Sequence, residues 1–134
     1  MSQATLYTDG GARGNPGPAG IGFVLKIRNG ATVARGEYIG EATNNQAEYA
    51  ALLRGLQTAQ AQAVKKVSCY LDSELVVKQL KGEYRVRHPD LLPRYQEVVQ
   101  LARAFEHISF HHVRREKNAQ ADLLVNQAID AHLK

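Results

Sequence analysis

The spacing of the apolar residues changes along the chain, and this change constrains the fold more than any other feature. Residues 4–9, "ATLYTD", alternate between two faces, which predicts a strand ending at Asp9–Gly10. Residues 20–40 alternate in the same way around Asn29–Gly30, a pair typical of a hairpin turn. The chain is therefore predicted to open with three antiparallel strands.

Helical spacing follows, because apolar residues recur every three or four positions between Thr43 and Ala63. The same reasoning predicts further strands at 65–72 and 107–113. It also predicts helices at 73–82, closed by Gly82, and from Pro93 to about Phe105. A last helix is predicted after an N-cap at Asn118, with a buried stripe of Ala121, Leu124, Val125 and Ala128. This order predicts an α/β fold with a mixed five-stranded sheet, three antiparallel strands then parallel ones, flanked by helices. Sites in such sheets form at the carboxyl ends of strands.

The length and composition bound the class of protein. A chain of 134 residues suits one domain over residues 1–134. No apolar run approaches the roughly 20 residues that a membrane span needs, and the first residues do not resemble a signal peptide. The lone Cys69 cannot form an internal disulfide. We therefore predict a cytoplasmic protein without a membrane partner, and a monomer because no apolar repeat suggests an interface.

The positive charge is modest but unevenly distributed. The net charge is +4, which permits a polyanionic partner without requiring one. Basic residues crowd two segments, residues 78–94 and 114–117. These segments are interpreted either as solvated surface or as contacts on a phosphate backbone.

Four acidic residues stand at unusual places. Asp9 and Asp72 each end a predicted strand, whereas Glu48 and Asp122 border the apolar stripes of predicted helices. Taken singly, each has a local explanation as a turn residue, a cap, a partner of the helix dipole or a surface group. Gathered together, like charges repel, and a hard divalent cation such as Mg²⁺ relieves that repulsion. No His or Cys cluster indicates zinc instead.

Four blocks of the sequence together resemble one family. They are "YTDGGARGNPGPAGIGFVL", "TNNQAEYAALLRGL", "YLDSELVVKQLKGEYRV" and "HVRREKNAQADLLVNQA". In this order, and over nearly the whole chain, they resemble type 1 ribonuclease H, in particular its compact archaeal-type and bacterial subgroup. The resemblance implies a ribonuclease H-like fold and an endonuclease that hydrolyses the RNA strand of RNA/DNA hybrids.

The resemblance also implies the catalytic centre. Asp9, Glu48, Asp72 and Asp122 match the family's metal-binding catalytic carboxylates. Two Mg²⁺ ions, with Mn²⁺ as a substitute, would serve there in phosphodiester hydrolysis. The products implied are a 5′-phosphate and a 3′-hydroxyl.

Further residues match positions that contact the hybrid. The candidates for substrate binding are Gly10, Gly11, Arg13, Asn15, Thr43, Asn44, Asn45, Arg85 and Arg87. Glycines would let the backbone approach a minor groove, and the asparagine amides suit a 2′-hydroxyl that both donates and accepts. Thr43 matches a phosphate contact and is also a helix N-cap candidate, while Asn44 and Asn45 have capping as their alternative role.

The chain departs from the family pattern in three places. No histidine lies in the segment before Asp122, where many members have one, and Arg115 or Glu116 is the nearest candidate for an auxiliary catalytic role. No tryptophan-bearing basic protrusion is present, and Glu41 replaces an arginine of some relatives. Three alternatives stay open: a relative acting on double-stranded RNA or a DNA junction, a hybrid-binding module without catalysis, and an appendage of a metabolic enzyme.

Overall fold

A five-stranded sheet forms the centre of the molecule, as a computed structural model describes it for residues 2–134. The strands are β1 Gln3–Ala12, β2 Gly17–Ile27, β3 Thr32–Ala42, β4 Lys66–Leu71 and β5 His107–His112. The helices are α1 Asn44–Ala61, α2 Glu74–Leu80, α3 Leu92–Ala102 and α4 Ala119–Leu133, with a 3₁₀ turn at Arg115–Lys117. The predicted order of elements is confirmed.

The sheet is mixed, with strand order β3-β2-β1-β4-β5. Strand β2 pairs antiparallel with β1 and β3, whereas β4 pairs parallel with β1 and β5. Thr8 lies opposite Leu71 at the last pair of the parallel ladder. The residues that follow, Asp9 and Asp72, therefore lie beside each other where the parallel ladder ends, although Asp9 stays paired with Gly22 of β2.

Helix α1 packs on one face of the sheet and contains much of the core. Its buried Tyr49, Leu52 and Leu56 belong to the same cluster as Leu6 of β1. Gly55 allows the close approach, because a Cβ there would lie 2.8 Å from a methyl carbon of Leu6. This packing fixes the height of α1 over β1 and hence the position of every side chain in its first turns.

Helix α4 covers part of the opposite face, mainly over β2 and β3. A Cβ on Gly22 would lie 2.3 Å from the Ala121 carbonyl oxygen, and one on Gly36 would lie 2.6 Å from the Leu124 carbonyl oxygen. These glycines let the helix backbone rest directly on the sheet. No helix within residues 2–134 is long and apolar enough to cross a membrane.

Several predicted boundaries are wrong by a few residues. Strand β1 does not end at Asp9–Gly10 but continues to Ala12, because it keeps pairing with β2 as far as Ala19. Helix α1 stops at Ala61, since Ala63 adopts a left-handed φ of 59°. Helix α3 ends at Ala102 rather than near Phe105.

The predicted stripe of α4 is also partly wrong. Ala121 and Val125 are buried as expected, but the third buried residue is Ile129. Leu124 and Ala128 are only half-buried. The helix therefore presents a narrower face to the sheet, spaced four residues apart.

Candidate active site

Three carboxylates converge where the parallel ladder between β1 and β4 ends. Asp9 comes from β1, Glu48 from the first turns of α1, and Asp72 directly follows β4. Each offers one oxygen atom, and these oxygens all lie within 4.8 Å of one another. Asp9 and Glu48 are buried, with 7% and 6% of their surface exposed, and Asp72 is half-buried. We call these three residues the carboxylate cluster.

Gly10 brings strand and helix together at the cluster. A Cβ on Gly10 would lie 2.2 Å from the carbonyl carbon and oxygen of Ala47, so only glycine fits. The Gly10 N–H donates a 3.0 Å hydrogen bond to Glu48 Oε1. The expected close approach of backbone thus exists, but at Gly10 it is made to the protein's own helix.

Burial and repulsion hold protons on the cluster. Desolvation by burial, together with the charges of Asp72 and Asp122, raises the pKa of Asp9 to about 7. Burial and the neighbouring Asp9 raise the pKa of Glu48 well above its usual value. Without a cation, the cluster therefore keeps protons at a pH where isolated carboxylates are fully ionised.

The cluster fits a hard divalent cation. Glu48 Oε2 is buried and has no hydrogen-bond partner among residues 2–134, which is costly for a carboxylate oxygen. The clustered atoms are carboxylate oxygens, the ligands that Mg²⁺ and Mn²⁺ prefer. A cation would satisfy the orphaned oxygen and remove the repulsion that raises both pKa values.

Asp122 lies beside the cluster rather than within it. It sits half-buried in the first turn of α4, where it contributes a hydrogen bond and a charge that raise the pKa of Asp9. Arg115 Nη2 lies 3.9 Å from Asp122 Oδ1, in an ion pair whose arginine is largely exposed. The structure thus brings the fourth predicted carboxylate next to the other three.

Asn118 is a site residue that sequence reasoning assigned to another role. Asn118 occupies the predicted N-cap position of α4 and its carbonyl accepts from the Asp122 N–H, but its side chain makes no capping hydrogen bond. It is buried and donates from Nδ2 to the Thr8 carbonyl oxygen at 2.7 Å and to Asp72 Oδ2 at 3.3 Å. Asparagine before a helix is such a common cap that the sequence holds no signal for this long-range contact.

A cleft of about 480 Å³ surrounds the cluster. Its lining includes six further predicted site residues besides the four carboxylates, namely Gly10, Gly11, Arg13, Asn44, Asn45 and Arg115. Arg13 is held in place by Asp130 of α4 at 2.6 Å and by hydrogen bonds to Asn126. Five of the nine residues expected to bind substrate therefore line the cleft around the carboxylates.

A second, neighbouring cleft of about 240 Å³ is lined by other predicted residues. Asn15, Thr43 and Asn45 line it together with His88, and Asn45 also lines the larger cleft. Thr43 caps α1 through its hydroxyl, so the capping alternative for the two asparagines is wrong. Asn44 instead accepts from the Ala12 N–H, and its own N–H donates to Asn15 Oδ1.

Three predicted residues lie away from both clefts. Arg85 and Arg87 are exposed on the loop between α2 and α3, and Glu116 is exposed on the 3₁₀ turn. None of them lines either cleft. Of the two auxiliary candidates, the structure brings only Arg115 next to the carboxylates.

Comparisons with known proteins agree with this geometry. The family described as "Reverse transcriptase-like" matches residues 7–128. Ribonuclease HI of Halobacterium salinarum is 44% identical over 125 residues, which cover 92% of this chain and 63% of that protein. A "bifunctional protein" of Mycobacterium tuberculosis is 43% identical over 131 residues, covering 96% of this chain and 36% of that protein.

Solved structures share the whole fold. The crystal structure of LC11-RNase H1 in complex with an RNA/DNA hybrid is 44% identical, with a TM-score of 0.91 over 98% of this chain and 99% of that chain. The curated relatives are longer than this chain, which spans about a third of the mycobacterial protein and under two thirds of the haloarchaeal one.

Proposed function

The chain belongs to the type 1 ribonuclease H family, and from that premise we propose that it is an endoribonuclease that hydrolyses the RNA strand of RNA/DNA hybrids. The proposed products carry 5′-phosphate and 3′-hydroxyl ends. The observation that supports this most is the convergence of Asp9, Glu48 and Asp72, with Asp122 beside them, in one cleft. A binding module without catalysis would have no need of so costly an arrangement of carboxylates.

We further propose two Mg²⁺ ions as cofactors in the substrate complex, with Mn²⁺ as a substitute. Asp9, Glu48 and Asp72 would hold them, assisted by Asp122. When bound, such ions lower the pKa of a water molecule and neutralise charge on the leaving oxygen. The orphaned Glu48 Oε2 and the raised pKa values support this assignment.

The protein's own groups prepare the site before any substrate arrives. The Gly10 N–H fixes one oxygen of Glu48 and leaves the other available. Asn118 holds Asp72 against the end of β1 through its bond to the Thr8 carbonyl. Arg115 places a positive charge at the exposed side of Asp122, where a phosphate would enter. The carboxylates are thus oriented at little entropic cost.

We propose that the asparagines of the two clefts recognise the RNA strand. The side-chain oxygens of Asn15 and Asn44 already accept backbone N–H groups, which fixes both amides. Their Nδ2 groups make no hydrogen bond within residues 2–134, and so remain as donors for 2′-hydroxyl oxygens. Thr43 would hold a phosphate of the DNA strand, and Arg85 and Arg87 would add phosphate contacts from their loop.

Cleavage of matched duplexes tests the proposal. An end-labelled RNA/DNA hybrid, double-stranded RNA and double-stranded DNA would each be incubated with Mg²⁺, Mn²⁺ or EDTA and resolved on a sequencing gel. We expect cleavage of the hybrid's RNA strand alone, abolished by EDTA. Binding of the hybrid without any cleavage would overturn the proposal in favour of a binding module, and cleavage of double-stranded RNA would widen the substrate class.

The variant Asp72→Asn tests whether cleavage of the hybrid needs the carboxylate at position 72. An amide cannot neutralise a cation, so we expect the rate of hybrid cleavage to fall at least about a thousand-fold while the fold is retained. Glu106→Gln, an exposed carboxylate outside both clefts, serves as the control and should cleave at the wild-type rate. An Asp72→Asn variant with a near-normal Mg²⁺-dependent rate would remove Asp72 from the site.

Three expectations about the chain as a whole stay predictions. They are a single domain over residues 1–134, a monomer, and a cytoplasmic location. Light scattering of the purified chain tests the second directly.

A further inference from the structure

One half of the sheet face that carries α4 is left uncovered. Helix α4 rests mainly on β2 and β3 and reaches β1 near Gly11, where Val125 lies over the strand, so the side chains that β4, β5 and the earlier part of β1 direct to this face lie beyond the helix. The uncovered half-face is about 10 Å wide, since it spans two strand spacings. Its far end lies about 20 Å from the carboxylate cluster, six residues back along β1 and β4.

A ladder of three rings crosses this half-face. Tyr7 of β1 stacks on Tyr70 of β4 with ring centroids 5.0 Å apart, and Tyr70 stacks on His111 of β5 at 5.1 Å. The ammonium group of Lys26 lies 5.5 Å from the Tyr7 ring and closes that end of the ladder. Strand β5 is the edge of the sheet and His111 is exposed, so the other end of the ladder is open. A hydrogen bond between His111 Nε2 and Ser109 Oγ fixes the last ring.

A basic groove of about 610 Å³ adjoins the ladder at the starting ends of the same strands. All its ionisable lining residues are basic, namely Lys26, Arg28, Lys66 and His107; within residues 2–134, no acidic side chain lines it. The hydroxyls of Thr5, Ser68 and Ser109 form the row between the groove and the rings. The groove is therefore complementary in charge to a polyanion and carries hydroxyl donors for its oxygens.

We propose that this uncovered half-face binds single-stranded nucleic acid, with phosphates in the basic groove and a base stacked on His111. Stacking on exposed rings beside a positively charged groove is how sequence-tolerant single-strand sites work. A duplex fits less well, because its bases are already stacked on each other and cannot extend the ladder. The site is separate from the clefts around the carboxylates and does not depend on cleavage.

Fluorescence anisotropy with a labelled 12-nucleotide uridine RNA tests the stacking step. Measurements in EDTA exclude metal-dependent cleavage, and low salt preserves the phosphate contacts. We expect His111→Ala to weaken binding about 5- to 150-fold, the range that corresponds to loss of one base–aromatic stack. His111→Tyr, which retains a ring, should bind within about twofold of the wild type. Equal affinity of all three proteins would overturn the proposal.

The phosphate contacts are tested by the salt dependence of the same binding. The double variant Lys26→Ser/Lys66→Ser should lower the slope of log K against log salt by about 1.4, or 0.7 for each single-strand phosphate that is no longer neutralised. The control Arg35→Ser/Arg103→Ser removes the same charge from exposed residues outside the groove and should leave the slope unchanged. If both double variants lowered the slope equally, the effect would come from net charge alone, and this result would overturn the proposed site.

Two further measurements separate this proposal from the proposed function. Cleavage of a short blunt-ended hybrid should be unaltered in His111→Ala, because the ladder lies outside the clefts around the carboxylates. Cross-linking of a 4-thiouridine RNA, mapped by mass spectrometry, should label β4 or β5. Cross-links confined to the carboxylate clefts would overturn the single-strand site, as would a dimer in light scattering that buries this face.

Discussion

Asn118 shows how one side chain joins three parts of the site. It comes from the segment between β5 and α4, yet it donates to the Thr8 carbonyl of β1 and to Asp72 after β4. Its Oδ1 is buried without a partner among residues 2–134, as is the hydroxyl of Thr8, the residue before Asp9. An amide that leaves one of its own atoms unsatisfied is not explained by stability alone. We therefore regard Asn118 as a positioning residue for Asp72.

Asn118→Ala should lower kcat for hybrid cleavage about 10- to 100-fold with little change in KM, the usual cost of losing a residue that orients a metal ligand. The Mg²⁺ concentration needed for half-maximal rate should rise as well. Asn118→Asp should be worse than Asn118→Ala, because it replaces a donor with a further negative charge beside Asp72. Steady-state kinetics over a Mg²⁺ titration, with thermal unfolding as the folding control, measure all three effects.

The raised pKa of Asp9 makes the stability of the cation-free protein depend on pH. The folded state holds this proton up to a pH of about 7, whereas the unfolded state loses it near its usual value of about 4. The folded state therefore binds more protons between pH 4 and 7, and stability falls as pH rises through that window.

In EDTA, we expect Asp9 to account for a loss of about 2–4 kcal/mol in unfolding free energy between pH 4 and 7, with a plateau above. Asp9→Asn should flatten this part of the profile and be more stable than the wild type at pH 8. Urea unfolding at several pH values checks it. A wild-type protein that gains stability from pH 5 to 7 would mean that the cluster is already fully ionised.

At the scale of elements, the contact between β1 and α1 decides whether the site forms. Glycine at position 10 is required by the Ala47 backbone, whereas Gly11 meets nothing closer than a Val125 methyl at 3.8 Å. Two adjacent glycines thus carry different constraints, which their shared place in a glycine-rich stretch does not reveal. The difference arises because neighbouring residues of a strand point to opposite faces.

Gly10→Ala should destabilise the protein by about 2–3 kcal/mol or more, because the added methyl group must displace backbone rather than a flexible side chain. It should also impair cleavage by moving Glu48 away from Asp9. Gly11→Ala is the matched control and should change the unfolding free energy by less than about 1 kcal/mol. Urea unfolding and hybrid cleavage of both variants test this pair.

The elements themselves followed from the sequence, because periodicity and turn residues are local signals. The parallel pairing of β1 with β4, and hence the meeting of Asp9 and Asp72, is a tertiary contact that these local signals do not specify. The long-range role of Asn118 could not be predicted, since its partner Thr8 lies 110 residues away in the sequence. The 3₁₀ turn at Arg115–Lys117 was not predicted either. The uncovered half of the sheet likewise depends on where α4 comes to rest.

At the scale of the whole molecule, the carboxylate cluster and the basic residues lie in different places. The net charge of +4 coexists with a concentrated negative cluster, so under the proposed function basic residues outside the clefts hold the polyanionic substrate near carboxylates that repel it. Arg85 and Arg87 lie on an exposed loop and are the proposed phosphate contacts. Their contribution is separable from catalysis, because neither lines the clefts.

Hybrid binding in EDTA should therefore weaken steeply with salt. Arg85→Ser/Arg87→Ser should reduce the slope of log K against log salt by about 1.8, or 0.9 for each duplex phosphate that is no longer neutralised. Arg35→Ser/Arg103→Ser removes the same charge elsewhere and should leave the slope as in the wild type. A slope that is flat in the unmodified protein would show that the loop is only solvated surface.

The stacked tyrosines have a practical consequence for optical work. The chain has six tyrosines and no tryptophan, so its ultraviolet emission comes from phenol rings alone. Tyr7 and Tyr70 stand two residues before Asp9 and Asp72 on the strands that present those carboxylates. If the cluster takes up a cation and the two strands shift, the stacked rings of Tyr7 and Tyr70 shift with them. A change in tyrosine emission would then report on the carboxylate cluster without any label.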